Sequence, residues 1–241
     1  MCTCPQPSCP LVGGIFSKSY FFRPSGMHCW DFHTHRQGQL HSIFQAGKSI
    51  LAEGISVSMG IHPWDLDYNW ETDFEKIKRE ATQNPCVLAI GEAGVDRLKG
   101  PEISLQQSAF YTQASWAATL GIPLILHCVK SHDLLLEYLK SAKNPPNIIW
   151  HGWNQKPELA RQLLSFPVFF SFGKHILHPG SNAAHWLKSC PLDRVFFETD
   201  DSGLEIESIY QRASLLLQIP VASLAAQVIA NWNAISKRKI S

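Results

Sequence analysis

The sequence predicts an α/β fold, a TIM-type (β/α)8 barrel, and three observations support that prediction. First, eight short apolar runs of strand length alternate with amphipathic helical segments, which is typical of βαβ units and a parallel sheet. Second, the chain has 241 residues, and one barrel domain occupies about 200–250 residues. Third, polar side chains follow several of the runs, on the side where such barrels hold their active sites. An open doubly wound sheet is the main alternative, because it shows the same alternation.

The predicted strands lie in short runs rich in β-branched and aromatic residues. In chain order they are HCWDFHTH (28–35), LHSIFQ (40–45), ISVSMGIHP (55–63), CVLAIGEAG (86–94), IPLILHC (122–128), NIIWHGW (147–153), PVFFSFG (167–173) and RVFFETD (194–200). The predicted helices span residues 70–84, 103–121, 131–144, 156–165, 181–189, 206–218 and 221–236. Gly121 is a C-terminal stop for the second helix, and Pro157 suits the first turn of the fourth.

Two connections are too short to hold a full helix. They are residues 36–39, between the first and second runs, and residues 46–53, between the second and third. We therefore predict a barrel that is trimmed at its first two βα crossovers. Residues 27–241 are predicted to form a single barrel domain, because no repeat or linker divides them. Residues 1–26 are rich in Pro, Cys, Ser and Gly without any period, and we expect a disordered extension there.

Composition excludes several classes of function. The chain carries 21 Lys and Arg against 20 Asp and Glu, so it has no overall charge that would attract nucleic acid or an acidic membrane. No apolar run approaches the roughly 18 residues of a transmembrane helix, and the N-terminus lacks the features of a signal peptide. Seven scattered cysteines, an odd number, favour reduced thiols. We expect a cytoplasmic protein with no membrane partner and no obligate protein partner.

Imidazoles and carboxylates recur where the apolar runs end. These residues are His33, His35, Glu92, His127, His151 and Asp200. Parallel strands of a barrel point the same way, so the ends of these runs meet at one rim. Imidazole and carboxylate together suit divalent metal ions of borderline softness. Each residue also has a plain structural explanation, such as a buried histidine, a turn or a helix cap, but six coincidences at strand ends explain the pattern poorly. A metal site at the rim is therefore predicted.

Strand geometry connects the first two of these residues. Side chains alternate between the two faces of a strand, so His33 and His35 point the same way as Asp31. Trp30 and Phe32 then face the helices. Two imidazoles on one face of a strand are able to hold one ion.

The same motifs resemble those of a known family. They are DFHTH (31–35), GIHPW (60–64), IGEAGVD (90–96), LILHCVKSHD (124–133), HGW (151–153), SFG (171–173) and ETDDS (198–202). In this order they resemble the TatD-like metal-dependent hydrolases, the TatD DNase family, over about residues 28–235, with short bacterial members as the most similar subgroup. The resemblance implies a deoxyribonuclease or phosphodiesterase that acts on DNA or a small phosphodiester.

The resemblance also implies roles for the rim residues. His33, His35 and Asp200 would hold one of two divalent cations, with Mg²⁺, Mn²⁺ and Zn²⁺ all compatible. Glu92 would bridge to a second cation held by His127 and His151. Two ions activate water and stabilise the leaving oxygen, and Asp200 would act as general base. Glu92 and Asp200 are therefore the expected catalytic residues.

Further residues follow from the same resemblance. His62 would face the substrate, although a turn-capping histidine before Pro63 explains it equally well. Lys130 stands where the family commonly has an arginine, and it would contact phosphate without the bidentate fork. Asp96 would support Glu92 from behind. Arg97 would either contact phosphate or be a surface charge.

Two tryptophans near the rim, Trp64 and Trp153, are able to stack on bases. Packing is the favoured explanation for both, because tryptophan is usually largely buried.

Two other functions stay open. One is hydrolysis of a small amide, lactone or phosphoester by an amidohydrolase-like enzyme. Relatives of that kind often use a lysine at the end of the fourth strand, whereas this chain has Glu92 there, which favours the TatD-like arrangement. The other is a metal-binding protein without turnover, which a full set of ligands makes the weaker alternative.

Overall fold

The computed structural model describes residues 28–49 and 54–241. The predicted extension, residues 1–26, lies outside the described residues. Eight strands form one sheet in which every neighbouring pair is parallel, in the order β1 to β8. They are β1 (Asp31–Thr34), β2 (Ser42–Gly47), β3 (Val57–Met59), β4 (Val87–Asp96), β5 (Leu124–Val129), β6 (Ile148–Trp150), β7 (Val168–Phe172) and β8 (Val195–Phe197). The predicted (β/α)8 barrel is confirmed, and the open sheet is excluded by the contacts between the first and last strands.

Those contacts close the barrel at its carboxyl rim. The backbone N–H of Asp200 donates to the His33 carbonyl at 2.9 Å, and the N–H of His35 donates to the Asp200 carbonyl at 3.2 Å. Beside them, the Asp31 carboxylate accepts hydrogen bonds from the backbone N–H and the hydroxyl of Thr199. The start of β1 is thereby tied to the segment that follows β8, and the rim becomes a closed ring.

Within residues 28–49 and 54–241, seven α-helices surround the barrel and agree with the predicted segments. They are α1 (Trp70–Gln83), α2 (Ile103–Leu120), α3 (His132–Ser141), α4 (Pro157–Leu163), α5 (Asn182–Leu187), α6 (Ile206–Leu217) and α7 (Val221–Ile235). Helix α2 ends at Gly121, which has a left-handed φ of 69°. Residues with a Cβ atom adopt this conformation less readily than glycine does. Pro157 opens α4. Three short 3-10 helices, at Pro63–Asp65, Lys174–Leu177 and Leu192–Arg194, were not predicted.

The described residues of the first two crossovers contain no helix, as predicted. Residues 35–41 connect β1 to β2 without a helix. The described residues of the next connection, 48–49 and 54–56, do not contain a helix either. The barrel is trimmed on this side.

The core lies between the barrel and its helices, and aromatic side chains fill much of it. Phe32 is fully buried and packs against Phe196 and against Trp232 of α7, with ring centroids 4.6 and 5.6 Å apart. The expected outward direction of Phe32 is confirmed. Burying a side chain of this size stabilises the fold by about 1.5–3 kcal/mol, so the outer layer fixes β1 while the inner face carries polar residues.

Within the described part of the chain, no single helix has both the length and the apolar character needed to cross a membrane. Helices α6 and α7, bent by 104° at a short break, meet those criteria only as a pair.

Candidate metal centre

The first cluster of ligand atoms gathers around one carboxylate oxygen at the carboxyl rim. The Nε2 atoms of His33 and His35 each lie 3.4 Å from Glu92 Oε1. The same two nitrogens lie 3.7 and 3.5 Å from Asp200 Oδ1. Two imidazoles and two carboxylates thus point at a common position, although they come from β1, β4 and the segment after β8.

The second cluster gathers around the other oxygen of the same carboxylate. Glu92 Oε2 lies 2.8 Å from His151 Nε2 and 3.4 Å from His127 Nδ1. The two imidazoles are themselves 3.4 Å apart, measured from His151 Nε2 to His127 Nδ1. One oxygen of Glu92 therefore faces each cluster, and the six residues predicted at the rim are all brought together.

Strand β4 places Glu92 between the clusters. Glu92 is 3% exposed and lies within the longest strand of the barrel, all of whose residues are buried. The alternative that Glu92 begins a helix is wrong. Burial opposes ionisation of this carboxyl, but the charges of His151 and His33 outweigh burial and hold the Glu92 pKa well below its usual range. Glu92 is therefore a carboxylate, the state that binds cations.

The imidazoles around Glu92 fit divalent cations. Burial would lower the pKa of His151, yet the Glu92 carboxylate raises it to about 10. His151 is therefore protonated, and its proton provides the positive charge that the Glu92 carboxylate attracts. Both ring nitrogens of the buried His33, and Nδ1 of His151, have no hydrogen-bond partner within the described ranges. Buried polar atoms normally have a partner. Ligand atoms also lie within 4.8 Å of one another in three groups of three residues, which matches a set of metal ligands. The groups are His33, His35 and Glu92; His33, His151 and Asp200; and His62, Glu92 and His127.

The backbone around Asp200 turns its carboxylate toward the first cluster. Asp200 has a left-handed φ of 53° and forms a parallel bridge with Thr34 of β1. The alternative that Asp200 caps a helix is wrong, because Glu205 occupies the N-cap position of α6. The Asp200 side chain is 24% exposed, against 4% for Glu92, so of these two carboxylates Asp200 is the one that solvent reaches.

His62 caps a turn, which is one of the two explanations that the sequence left open, and its ring also lies beside the clusters. Its Nδ1 accepts a hydrogen bond from the backbone N–H of Trp64 at 3.2 Å, which caps the 3-10 helix Pro63–Asp65. Its Nε2 lies 3.2 Å from His127 Nδ1 and 3.7 Å from Glu92 Oε2. Burial lowers the His62 pKa to about 4, so the ring is neutral, and an accepting Nδ1 leaves the proton on Nε2. His62 therefore presents an N–H donor to the centre.

Asp96 contacts a different residue from the one expected. The sequence suggested that Asp96 supports Glu92, but Asp96 Oδ2 lies 3.2 Å from His127 Nε2. In parallel register, Gly94 pairs with His127, so the His127 ring lies between Glu92 and Asp96 along β4. A carboxylate on Nε2 keeps the proton there and leaves the Nδ1 lone pair facing Glu92. This is the usual support for a metal-binding histidine.

Sequence reasoning missed Glu198. This residue is fully buried, its Oε1 accepts a hydrogen bond from the Gly152 N–H, and the same oxygen lies 3.9 Å from His151 Nδ1. Burial raises the Glu198 pKa. The signal was present in the alternation of strand side chains, because Glu198 precedes Asp200 by two residues.

Lys130 and Arg97, the two residues for which the sequence suggested a phosphate contact, have different surroundings. The Lys130 side chain is exposed, and no hydrogen bond or ion pair joins it to the described residues. Arg97 donates to both oxygens of Asp133, at 2.6 and 2.7 Å, and to the Lys130 carbonyl. Arg97 is thus a paired surface charge. Trp153 is fully buried against Phe170, which confirms packing for that residue.

A hollow of about 420 Å³ lies away from these clusters, at the opposite end of the barrel. Its walls include Asn147, Pro167 and Arg194, which precede β6, β7 and β8. Residues at the amino-terminal face of such barrels serve stability, whereas catalysis occurs at the carboxyl face. The rim clusters are therefore the better candidate site.

Comparison with known proteins agrees with the geometry. An uncharacterized metal-dependent hydrolase, YjjV of Escherichia coli K12, is 27% identical over 59% of this chain and 56% of its own length. A 3'-5' ssDNA/RNA exonuclease TatD from Klebsiella pneumoniae is 28% identical over 58% of this chain and 55% of its own length. The chain thus spans little more than half the length of these curated relatives.

Solved structures show the same fold. The crystal structure of YjjV, a TatD homologue from Escherichia coli K12, has a TM-score of 0.67 at 22% identity and covers 77% of this chain and 78% of that one. A hydrolase of the TatD family from Entamoeba histolytica has a TM-score of 0.61 at 16% identity, with 76% and 75% covered. The family model for TatD related DNase matches residues 23–234. The chain therefore belongs to the TatD-related DNase family.

Proposed function

We propose that this protein is a hydrolase that depends on two divalent metal ions and cleaves phosphodiester bonds in DNA. The observation that carries the proposal is the position of Glu92, whose two carboxylate oxygens each face a separate cluster of imidazoles. A carboxylate shared in this way is suited to bridge two ions. The relatives named as metal-dependent hydrolases and as an ssDNA/RNA exonuclease support the same reaction.

The proposed ligands divide as the two clusters do. His33, His35 and Asp200 would hold one ion, and His127 and His151 would hold the other, with one Glu92 oxygen facing each cluster. When bound, such ions polarise a phosphoryl oxygen, lower the pKa of water and stabilise the leaving oxygen. The mixed nitrogen and oxygen ligands accept Zn²⁺ and Mn²⁺ readily and leave Mg²⁺ possible.

The residues of the chain supply the proton transfers. Asp200, the carboxylate that solvent reaches, takes a proton from the attacking water. His62 presents its Nε2–H toward the same centre, where it donates a hydrogen bond to a phosphoryl oxygen. Asp96 holds His127 in the tautomer that points its lone pair inward. The reaction needs no covalent nucleophile from the protein.

Metal removal tests the proposal. Protein stripped with a chelator should lose hydrolysis of single-stranded DNA and should recover it with Mg²⁺, Mn²⁺ or Zn²⁺. A panel of DNA, RNA, a small phosphodiester, an amide and a lactone separates the proposal from the amidohydrolase-like alternative. Hydrolysis confined to the amide or lactone would reject the phosphodiesterase, and binding of ions without any turnover would leave only a metal-binding protein.

Substitution of Glu92 tests the ligand assignment. Glu92→Ala should leave fewer than two ions per chain by elemental analysis and should abolish hydrolysis, because both clusters lose their shared oxygen donor. Glu158→Ala is the matched control, since Glu158 is an exposed residue of α4 paired only with Arg161 among the described residues. Two ions per chain in Glu92→Ala would show that the bridging role is wrong.

A further inference from the structure

Trp64 is a large aromatic side chain at the edge of the candidate centre that the fold leaves 43% exposed. It belongs to the 3-10 helix Pro63–Asp65, which follows β3. Its ring meets the rings of His62 and His127 at 76°, with centroids 4.6 and 5.5 Å apart. The indole therefore lies beside two imidazoles of the centre and still has open surface.

The indole is fixed in place. Trp64 Nε1 donates a hydrogen bond of 2.7 Å to Asp96 Oδ2, the same oxygen that lies 3.2 Å from His127 Nε2. Asp96 is buried and also accepts from the backbone N–H of Leu98 at 2.8 Å. One carboxylate thus orients the indole and a proposed metal-binding imidazole together. Trp153, by contrast, is fully buried and has no surface to offer.

A lysine lies on the indole ring. Lys99 Nζ is 3.4 Å from the centroid of the Trp64 ring, and no described residue forms an ion pair with it. The loop that carries Lys99 is held from behind, because the side chain of Gln106 donates to the carbonyls of Lys99 and Pro101 at 3.2 and 2.7 Å. The backbone of the loop is therefore anchored, while the Lys99 ammonium is attached only by its flexible stem.

We propose that the Lys99 ammonium leaves the indole to contact the phosphate backbone, and that Trp64 then stacks on an unpaired nucleobase next to the bond that is cleaved. This inference rests on the proposed phosphodiesterase function and assigns the side chains that would hold an unpaired base beside the centre. Aromatic rings stack on every base, whatever the sequence, and the Trp64 ring is both held in place and partly exposed beside the candidate centre. Bases within a duplex are paired and stacked on each other, so they are not available to Trp64.

A comparison of two substrates tests the role of Trp64. The metal-loaded full chain is assayed with a short single-stranded oligothymidylate and with its abasic counterpart, which has the same backbone without bases. The kcat/KM value for the oligothymidylate should exceed that for the abasic oligonucleotide by about 5- to 100-fold, as expected for one stacked base. The difference should appear mainly in KM. Damage to the metal centre would lower both kcat/KM values of a variant alike, so it would not change their ratio.

Three variants complete the experiment. Trp64→Leu should bring the ratio close to one, and Trp64→Phe should retain most of it, because phenylalanine still stacks. Trp116→Leu should leave the ratio unchanged. It is a matched control, because Trp116 of α2 also has a lysine over its ring, Lys78 Nζ at 5.1 Å, but lies in the outer layer.

A second measurement covers the case in which Trp64→Leu does not fold. Thymidine monophosphate should quench the fluorescence of the loaded wild-type protein more than that of Trp64→Phe, whereas deoxyribose phosphate should quench neither. A ratio near one in the wild type, a ratio unchanged in Trp64→Leu, or equal quenching of wild type and Trp64→Phe would overturn the stacking role alone. Absence of metal-dependent hydrolysis of either oligonucleotide would overturn the phosphodiesterase as well.

Discussion

Asp96 illustrates how one side chain sets the orientation of others at the candidate centre. Its Oδ2 contacts both Trp64 Nε1 and His127 Nε2, and its Oδ1 accepts from the Leu98 N–H. Burial alone would raise the Asp96 pKa, but these donors outweigh it and lower the pKa. The carboxylate is therefore a charged acceptor that keeps the Nε2 proton of His127 in place.

Asp96→Asn should weaken metal binding while leaving the six proposed ligands present. An amide offers one acceptor oxygen where the carboxylate has two, so the His127 tautomer is no longer held, and metal affinity should fall about 10- to 100-fold. Competition with a chromophoric chelator measures the change. Asp67→Asn, in the connection between β3 and α1, is the control, since Asp67 is exposed and its side chain only accepts from the Asn69 N–H. Equal affinities in both variants would contradict the supporting role.

The sequence predicted single residues of the centre well where strand alternation decides their direction. His33 and His35 were expected on one face and do share Glu92 Oε1. The partner of Asp96 was not predictable, because it depends on the register between β4 and β5 and on the irregularity between Ile90 and Ala93. Sequence periodicity does not specify how a strand is offset against its neighbour.

At the scale of elements, strand β4 organises the rim because it carries Glu92 and Asp96 and leaves space between them. Gly94 lies at that point, with a φ of 154°. A Cβ atom there would lie only 1.8 Å from the carbonyl oxygen of His127. The absence of a side chain lets β5 approach closely enough for His127 to reach both carboxylates.

Gly94→Ala should therefore push β5 away from β4. We expect a loss of about 3 kcal/mol in the free energy of unfolding, the upper end of the usual cost of overpacking, together with weaker metal binding. Urea denaturation and elemental analysis measure the two effects. For comparison, Gly180→Ala should change stability by less than about 0.5 kcal/mol, because no atom lies within 4 Å of its Cβ position. Similar midpoints for the two variants would show that β4 and β5 are less tightly packed than described.

The elements themselves were largely predictable. Apolar runs and helical periods placed the strands and the seven helices, and the short stretch at 36–39 predicted a missing helix. The 3-10 helix Pro63–Asp65 was not predicted, since its start depends on a cap from the side chain of His62 that no period reveals. The same cap explains why the turn-capping and substrate-facing explanations of His62 could not be separated from sequence.

At the scale of the whole molecule, the candidate centre joins strands that are distant in sequence. Its proposed ligands lie on or after β1, β4, β5, β6 and β8. The barrel closes at the same rim, where Asp31 binds Thr199 and Asp200 binds the backbone of β1. Ions bound there would cross-link the ring at its closure, so metal binding is coupled to the stability of the entire fold.

Metal ions should accordingly raise the melting temperature of the whole protein. At a free metal concentration of 100 times Kd, the stabilisation is about 2.7 kcal/mol, which corresponds to about 5–10 °C for a chain of this size. Calorimetry of stripped and loaded protein measures the shift. Glu92→Ala should show little of it. A shift of the same size in that variant would place the ions elsewhere.

The size of this shift should depend on pH. The pKa of His151, raised to about 10 without metal, means that metal binding at neutral pH displaces a proton. Affinity therefore falls as pH falls, and the shift should be smaller at about pH 6 than at about pH 8. A shift independent of pH would contradict displacement of that proton.

The sharing of Glu92 between two clusters has a consequence for how substrate approaches. Without ions, the protonated His151 offsets the carboxylates of Glu92 and Asp200 only in part, so the site is unfavourable for a phosphate. Two divalent cations carry more charge than these two carboxylates, so loading reverses the local electrostatic sign. The net charge of the whole chain, +1, does not reveal this local change of sign. Under the proposed function, attraction for a polyanion would be conferred by the ions and withdrawn with them, so metal supply would be a gate for nucleic acid rather than only an aid to its cleavage.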